Sequence, residues 1–134
     1  MAFELSVLPE ELAVCRLPGG GGLPDWLGVG GLASVTWTPD ETSVVCPAAL
    51  VPFGILAEKG WRALKVAGPL DFSLTGALVS LAEPLSAVGI SIFSISTYDT
   101  DYLLVKSERL AEAIDSLEQA GHVVRLNVDE PRQV

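Results

Sequence analysis

The chain has 134 residues, room for one ordinary domain or two very small ones, and 49% of them are hydrophobic. Seventeen acidic against eight basic residues leave a formal net charge of −9, which repels a phosphate backbone and speaks against nucleic acid as a partner. No segment approaches ~18 uninterrupted apolar residues, so no membrane-spanning helix is expected.

The early acids of MAFELSVLPEE give no basic n-region, and no secretory signal is expected. So apolar a chain, with mean hydropathy +0.44, leaves two readings at this size: a homodimer that covers part of the surface, or a densely packed monomer. Cys15 and Cys46 sit in strand-like sequence and read as reduced core thiols, which suits the cytoplasm.

Phe3 to Val7 and Leu12 to Leu17 read as short strands on either side of a Pro9-Glu10-Glu11 turn. Pro18 to Gly22 is a glycine run without regular structure, and Pro24 to Leu27 is at most one helical turn. Leu32 to Thr38 and Thr42 to Cys46 form a hairpin around Pro39-Asp40-Glu41. Ala48 to Leu56 is an apolar connector broken by Pro52 and Gly54.

Trp61 to Val66 is a strand, followed by a loop from Gly68 to Ser73. A helix is predicted over Leu74 to Val88, with Leu74, Ala77, Leu78, Leu81, Leu85 and Val88 on one face. Ser73 caps its start, Gly89 ends it, and Pro84 is expected to kink it. Ile90 to Thr97 and Tyr102 to Lys106 are strands around an acidic turn. Ser107 caps a second helix facing the core with Leu110, Ile114 and Leu117, which Gly121 closes. His122 to Val128 is the last strand.

The order from residue 61 is therefore β-α-β-β-α-β, an α+β class of ferredoxin-like type: an antiparallel sheet with helices on one face. Phe93 and Ile95 make the second sheet face apolar too, which anticipates a further layer. Ser34 to Cys46 can be laid over Ser94 to Lys106 without a gap, so two related units are expected, residues 1–60 and residues 61–134, the first degraded in its helices. A chance likeness of two hairpins is the other reading.

Nucleophilic catalysis needs a Ser or Cys with a positioned base. His122, the one histidine, reads as a capping or solvent-facing imidazole, and neither cysteine has a cue for thiolate activation. Asp99 and Asp101 suit a hairpin turn better than a metal site. Gly28-x-Gly30-x-x-Ala33 leads into a strand, not a helix, and no phosphate loop is present. No cofactor and no enzyme follow.

One constellation remains. Ser73, Thr75 and Gly76 stand at the start of the first helix, where unpaired N–H groups suit a carboxylate. Ser91 and Ile92 offer backbone groups, and Asp71, Asp99 and Asp101 offer negative charge to an ammonium or guanidinium. The spacing fits a cradle for an amino-acid zwitterion, and equally a capped helix beside an acidic turn.

GPLDFSLTG (Gly68 to Gly76) followed by GISIFSISTYDTDYLLVK (Gly89 to Lys106) resembles the tandem ACT-domain proteins. FELSVLPEELAV, the PDETSVVC hairpin and Trp61-Arg62-Ala63-Leu64 fit the same pattern, so the resemblance covers nearly the whole chain. It implies a regulatory, allosteric sensor of a free amino acid, arginine or lysine being the basic candidates, bound at a domain interface. The ligand loop would be Leu70, Asp71, Phe72, Ser73, Thr75 and Gly76, with Ser91 and Ile92 as main-chain contacts and Asp101 reading the cationic end. The alternative is an interaction module with a vestigial pocket.

Overall fold

A computed structural model describes residues 2–28, 30–71 and 75–126. The expected helix start at Leu74, its cap Ser73, the loop residue Phe72 and the last strand beyond Leu126 fall outside the described residues. The strands are β1 (Glu4–Val7), β2 (Leu12–Pro18), β3 (Ser34–Trp37), β4 (Glu41–Pro47), β5 (Leu56–Val66), β6 (Phe93–Ser96), β7 (Asp101–Lys106) and β8 (Val123–Leu126). The helices are α1 (Ala77–Ala87) and α2 (Leu110–Gln119), with 3-10 turns at Ala48–Leu50 and Ser107–Arg109. Two compact units emerge: Glu10–Trp61, and residues 1–9 together with 62–134.

In the N-terminal unit the strand order is β3-β4-β2-β5, antiparallel throughout. Ala13, Cys15, Val44 and Cys46 are buried in its core, under Trp26, Leu27, Val51 and Ile55. Among the described residues it has no α-helix. The connector expected to run to Leu56 ends there: Leu56 and Ala57 pair with Arg16 and Cys15, so β5 starts five residues earlier than its Trp61 suggests.

In the C-terminal unit the expected β-α-β-β-α-β order is present, with one addition. Strand β1 lies between β5 and β8, antiparallel to β5 and parallel to β8. The alternating pattern of β1 explains its place, because Leu5 and Val7 bury one face beside Leu64 and Val66. Leu81 and Leu85 from α1 and Ala113 and Leu117 from α2 join that same cluster, so both helices cover one sheet face.

The predicted helix face proves too wide. Ala77, Leu81 and Leu85 are buried, four residues apart, whereas Leu78 and Val88 are exposed. The helix starts at Ala77 because Gly76 is left-handed at φ 84, and it continues through Pro84. At its end Gly89 N–H donates to Ser86 at 3.0 Å and Ile90 N–H to Leu85 at 3.0 Å, a Schellman motif made possible by Gly89 at φ 76. The same pair of bonds closes α2 at Gly121, while its start is Arg109 and not Ser107, which opens the 3-10 turn instead. His122 is buried, not solvent-facing.

The two hairpins share their geometry. Trp37 pairs with Thr42 and Ser96 with Asp101 as the last rungs before each turn. Thr38 N–H donates to the Glu41 carbonyl at 2.9 Å, and Thr97 N–H to the Thr100 carbonyl at 2.8 Å. A 3-10 turn follows each hairpin, starting at Ala48 and at Ser107, so the register between them is 59 residues. Ser34 thus corresponds to Phe93, one residue short of the gapless match read from the sequence.

Candidate functional site

The tip of the β6–β7 hairpin, Thr97 to Thr100, is laced to the loop after β5. The Thr97 hydroxyl donates to the Thr100 carbonyl at 3.1 Å and accepts the Thr100 N–H at 3.3 Å. The buried Thr100 hydroxyl donates to the Val66 carbonyl at 2.7 Å, and Leu70 N–H donates to the Asp99 carbonyl at 2.7 Å. These bonds consume the polar groups that would otherwise let the turn swing, and they fix the side chains around it.

Beside the turn lies a recess of about 220 Å³. Leu70 and Asp71 form one side, Ala77 at the start of α1 another, and the chain from Ser96 to Asp101 the rest. Three carboxylates, Asp71, Asp99 and Asp101, belong to that wall, and no basic side chain does. Ser96 Oγ donates to Asp101 Oδ1 at 2.6 Å, a short charge-assisted bond that orients the carboxylate. Among the described residues no side chain caps α1 at Gly76, and the start of this 11-residue helix carries partial positive charge that suits an anion. The recess thus combines an acidic rim with an electropositive helix end, a pattern complementary to a small zwitterion or cation.

Of the residues singled out from the sequence, Leu70, Asp71, Asp99 and Asp101 come together in this wall. Thr75 and Gly76 are exposed immediately before α1. Ser91 is exposed and Ile92 packs against the core, both ahead of β6 and outside the wall. Phe72 and Ser73 lie outside the described residues. Ala77, Ser96, Thr97, Tyr98 and Thr100 also line the recess. The signal for the last four was the hairpin itself, because a two-strand register brings its whole turn to one corner.

The other reactive groups are occupied structurally. Burial, aided by the neighbouring Cys15, pushes the Cys46 thiol up to about 11, and burial raises Cys15 as well. His122 accepts the Phe3 N–H on Nδ1 at 3.0 Å and stacks on the Phe3 ring at 5.9 Å. Among the described residues no group of three His, Cys, Asp or Glu side chains is placed to hold a metal ion. No helix among them is long and apolar enough to cross a membrane.

A family model described as the ACT domain matches residues 56–119, and a second, described as an N-terminal domain, matches residues 10–53. The chain is 38% identical over 60 residues to the mouse (Mus musculus) protein named cytosolic arginine sensor for mTORC1 subunit 1. That match takes in 44% of this chain and spans 18% of the sensor's length. A solved protein structure from Agrobacterium tumefaciens is 38% identical, with TM-score 0.89 over 95% of both chains. The regulatory subunit of aspartate kinase from Thermus thermophilus aligns with TM-score 0.59 over 90% of this chain and 94% of its own, at 12% identity, a likeness of fold alone.

Proposed function

Because residues 56–119 of this chain match the ACT-domain family, we propose that it is a ligand-binding regulatory module and not a catalyst, and that it holds a free amino acid in its C-terminal unit. One observation carries the reading: the recess beside the Thr97–Thr100 turn joins three carboxylates to the start of α1. A basic amino acid, arginine or lysine, complements both. Its carboxylate meets the N–H groups at the start of α1, and its cationic end meets Asp101 and Asp99, with Asp71 at the rim. Thr75 and Gly76, immediately before α1, flank it, and the main-chain contacts expected of Ser91 and Ile92 require a ligand that reaches beyond the recess wall. The sensor relative's name, which specifies arginine, supports the choice of ligand.

The division expected at residue 60 shifts, because residues 1–9 join the C-terminal unit: residues 10–61 then act as a helix-poor ACT unit and residues 1–9 with 62–134 as the full one. The 59-residue register between the hairpins supports this division. The protein works in the cytoplasm as a homodimer whose assembly or partner binding responds to the ligand, which requires the ligand to prefer one state. A second reading is a docking module with a vestigial pocket, favoured by the exposed Trp37, Phe53 and Leu56.

A thermal-shift screen with the twenty amino acids, paired with sedimentation, tests the proposal. Arginine or lysine at ~100-fold excess over its dissociation constant stabilises the fold by about 2.7 kcal/mol. A screen without any shift sinks the sensor and leaves the docking module.

A further inference from the structure

We propose that the N-terminal unit carries a second ligand cradle, between the glycine loop after β2 and the β3–β4 hairpin, that takes a small neutral amino acid. A cavity of about 400 Å³ lies there, walled by Leu17, Pro18, Gly19 to Gly22, Pro24 and Thr42. Its construction repeats that of the C-terminal recess. In each unit a glycine one or two residues beyond a strand is pressed against the hairpin turn: a Cβ on Gly19 would lie 3.0 Å from the Pro39 carbonyl oxygen, and one on Gly68 would lie 3.0 Å from that of Asp99. In each, the loop beyond that glycine faces the residue of the returning strand that makes the last rung before the turn. In the C-terminal unit that residue is Asp101, and 59 positions earlier it is Thr42.

Thr42 is the observation that points to a ligand. Only 1% of it is exposed, and its hydroxyl has no hydrogen-bond partner among the described residues. A buried hydroxyl without a partner is costly in a native protein, and a ligand that bonds to it removes the cost. The exchange of Asp101 for Thr42 also fixes the ligand's chemistry. No carboxylate belongs to this wall, so a guanidinium or ammonium side chain finds no counter-charge. Leu17, Pro18 and Pro24 offer apolar contact instead, and a hydroxyl or amide on the ligand can bond to Thr42. Gly20 to Gly22 are exposed, and a Cβ on any of them would meet nothing within 4 Å, so a ligand can approach this backbone closely. The cavity is large enough for a residue the size of threonine or valine.

The inference rests on reading the C-terminal recess as a ligand site, but the two can fail separately. The full chain, labelled with ¹⁵N, is titrated with L-threonine, L-valine and, in a separate sample, L-arginine, while backbone amide shifts are followed. Threonine is expected to move the amides of Gly19 to Gly22 and Thr42 saturably, in the native chain and in Asp101→Ala alike. Thr42→Val, an isosteric change, is expected to weaken threonine about tenfold and to leave the response of Asp99 and Asp101 to arginine intact. If Thr42→Val does not fold, the native titration decides. No movement of Gly19 to Gly22 at about 10 mM, ten times a weak 1 mM dissociation constant, overturns the second cradle. So does a response to arginine without one to threonine, or unchanged threonine binding in Thr42→Val. Silence at Asp99 and Asp101 with arginine, while the glycine loop still answers threonine, overturns the C-terminal reading alone.

Discussion

His122 donates its Nε2–H to the Ser80 carbonyl at 3.2 Å, and Ser80 is the residue four before Pro84 in α1. Proline has no N–H to give that carbonyl, so the imidazole from the end of α2 supplies what the helix cannot. The other ring nitrogen accepts from Phe3, which fixes the neutral tautomer with its proton on Nε2. A helix interior with proline is thus tied to β1 and β8 through one side chain.

His122→Ala removes the acceptor from Phe3 N–H and a donor from Ser80. The expected loss is about 1–3 kcal/mol, because both bonds are partly shielded from water. Urea unfolding measures it. In Pro84→Ala the restored N–H serves Ser80, so the double variant is expected to lose less than the sum of the two changes. Strict additivity would sink the link between them.

Gly68→Ala tests how tightly the recess is built. The added Cβ meets the Asp99 carbonyl oxygen at 3.0 Å and Thr100 Cβ at 3.1 Å, and backbone cannot yield as a long side chain can. Overpacking of this kind costs about 1–3 kcal/mol. Because the same Asp99 oxygen accepts the Leu70 N–H, the displaced turn should also weaken arginine binding. Calorimetry showing native affinity in Gly68→Ala would separate the turn from the ligand.

Much of the fold can be read from periodicity, and what cannot has physical reasons. The stripe of Leu110, Ile114 and Leu117 announces α2, and the alternation from Leu12 to Leu17 announces β2. Alternation says which face is buried but not which strand lies alongside, so the parallel pairing of β1 with β8 is invisible in it. The start of β5 is masked because Leu56 to Gly60 mixes charge and glycine in a strand half exposed. Leu78 and Val88 misled because an apolar helix offers more apolar positions than its core contact uses. At the candidate site, the acidic turn drew attention to Asp99 and Asp101. The turn motif from Ser96 to Asp101 announces the corner, but not that the Ser96 hydroxyl holds Asp101 or that Thr97 bonds to Thr100, because contacts between side chains are not written in spacing.

Asp101 is the side chain on which ligand charge depends. With Ser96 Oγ holding one oxygen at 2.6 Å, the other is free to turn toward a guanidinium. Asp101→Ala is expected to weaken arginine by about 1.5–3 kcal/mol, the range for a hydrogen bond to a charged group. Ser96→Ala leaves the charge and loosens its aim, so a smaller loss is expected. Titration calorimetry with an unchanged dissociation constant in Asp101→Ala rejects the assignment.

The paired thiols of the N-terminal core predict a pH dependence. Burial first, then the charge and hydrogen bond of Cys15, raise Cys46 from 9.0 to about 11. Cys15 is raised in the same sense. Between pH 9 and 11 the folded chain keeps a proton that the unfolded chain releases, so stability is full below pH 9 and falls as pH rises through this window. At 1.36 kcal/mol per pKa unit the loss attributable to Cys46 is about 3 kcal/mol once the folded thiol has ionised. Lysines and tyrosines titrate in the same range, so the informative quantity is the difference between the native chain and Cys46→Ala. Denaturant midpoints of the native chain are expected to fall faster across pH 9 to 11, because the variant has no thiol there to deprotonate. Parallel curves would mean that Cys46 ionises as readily in the fold as outside it, and that the core around Cys15 admits water.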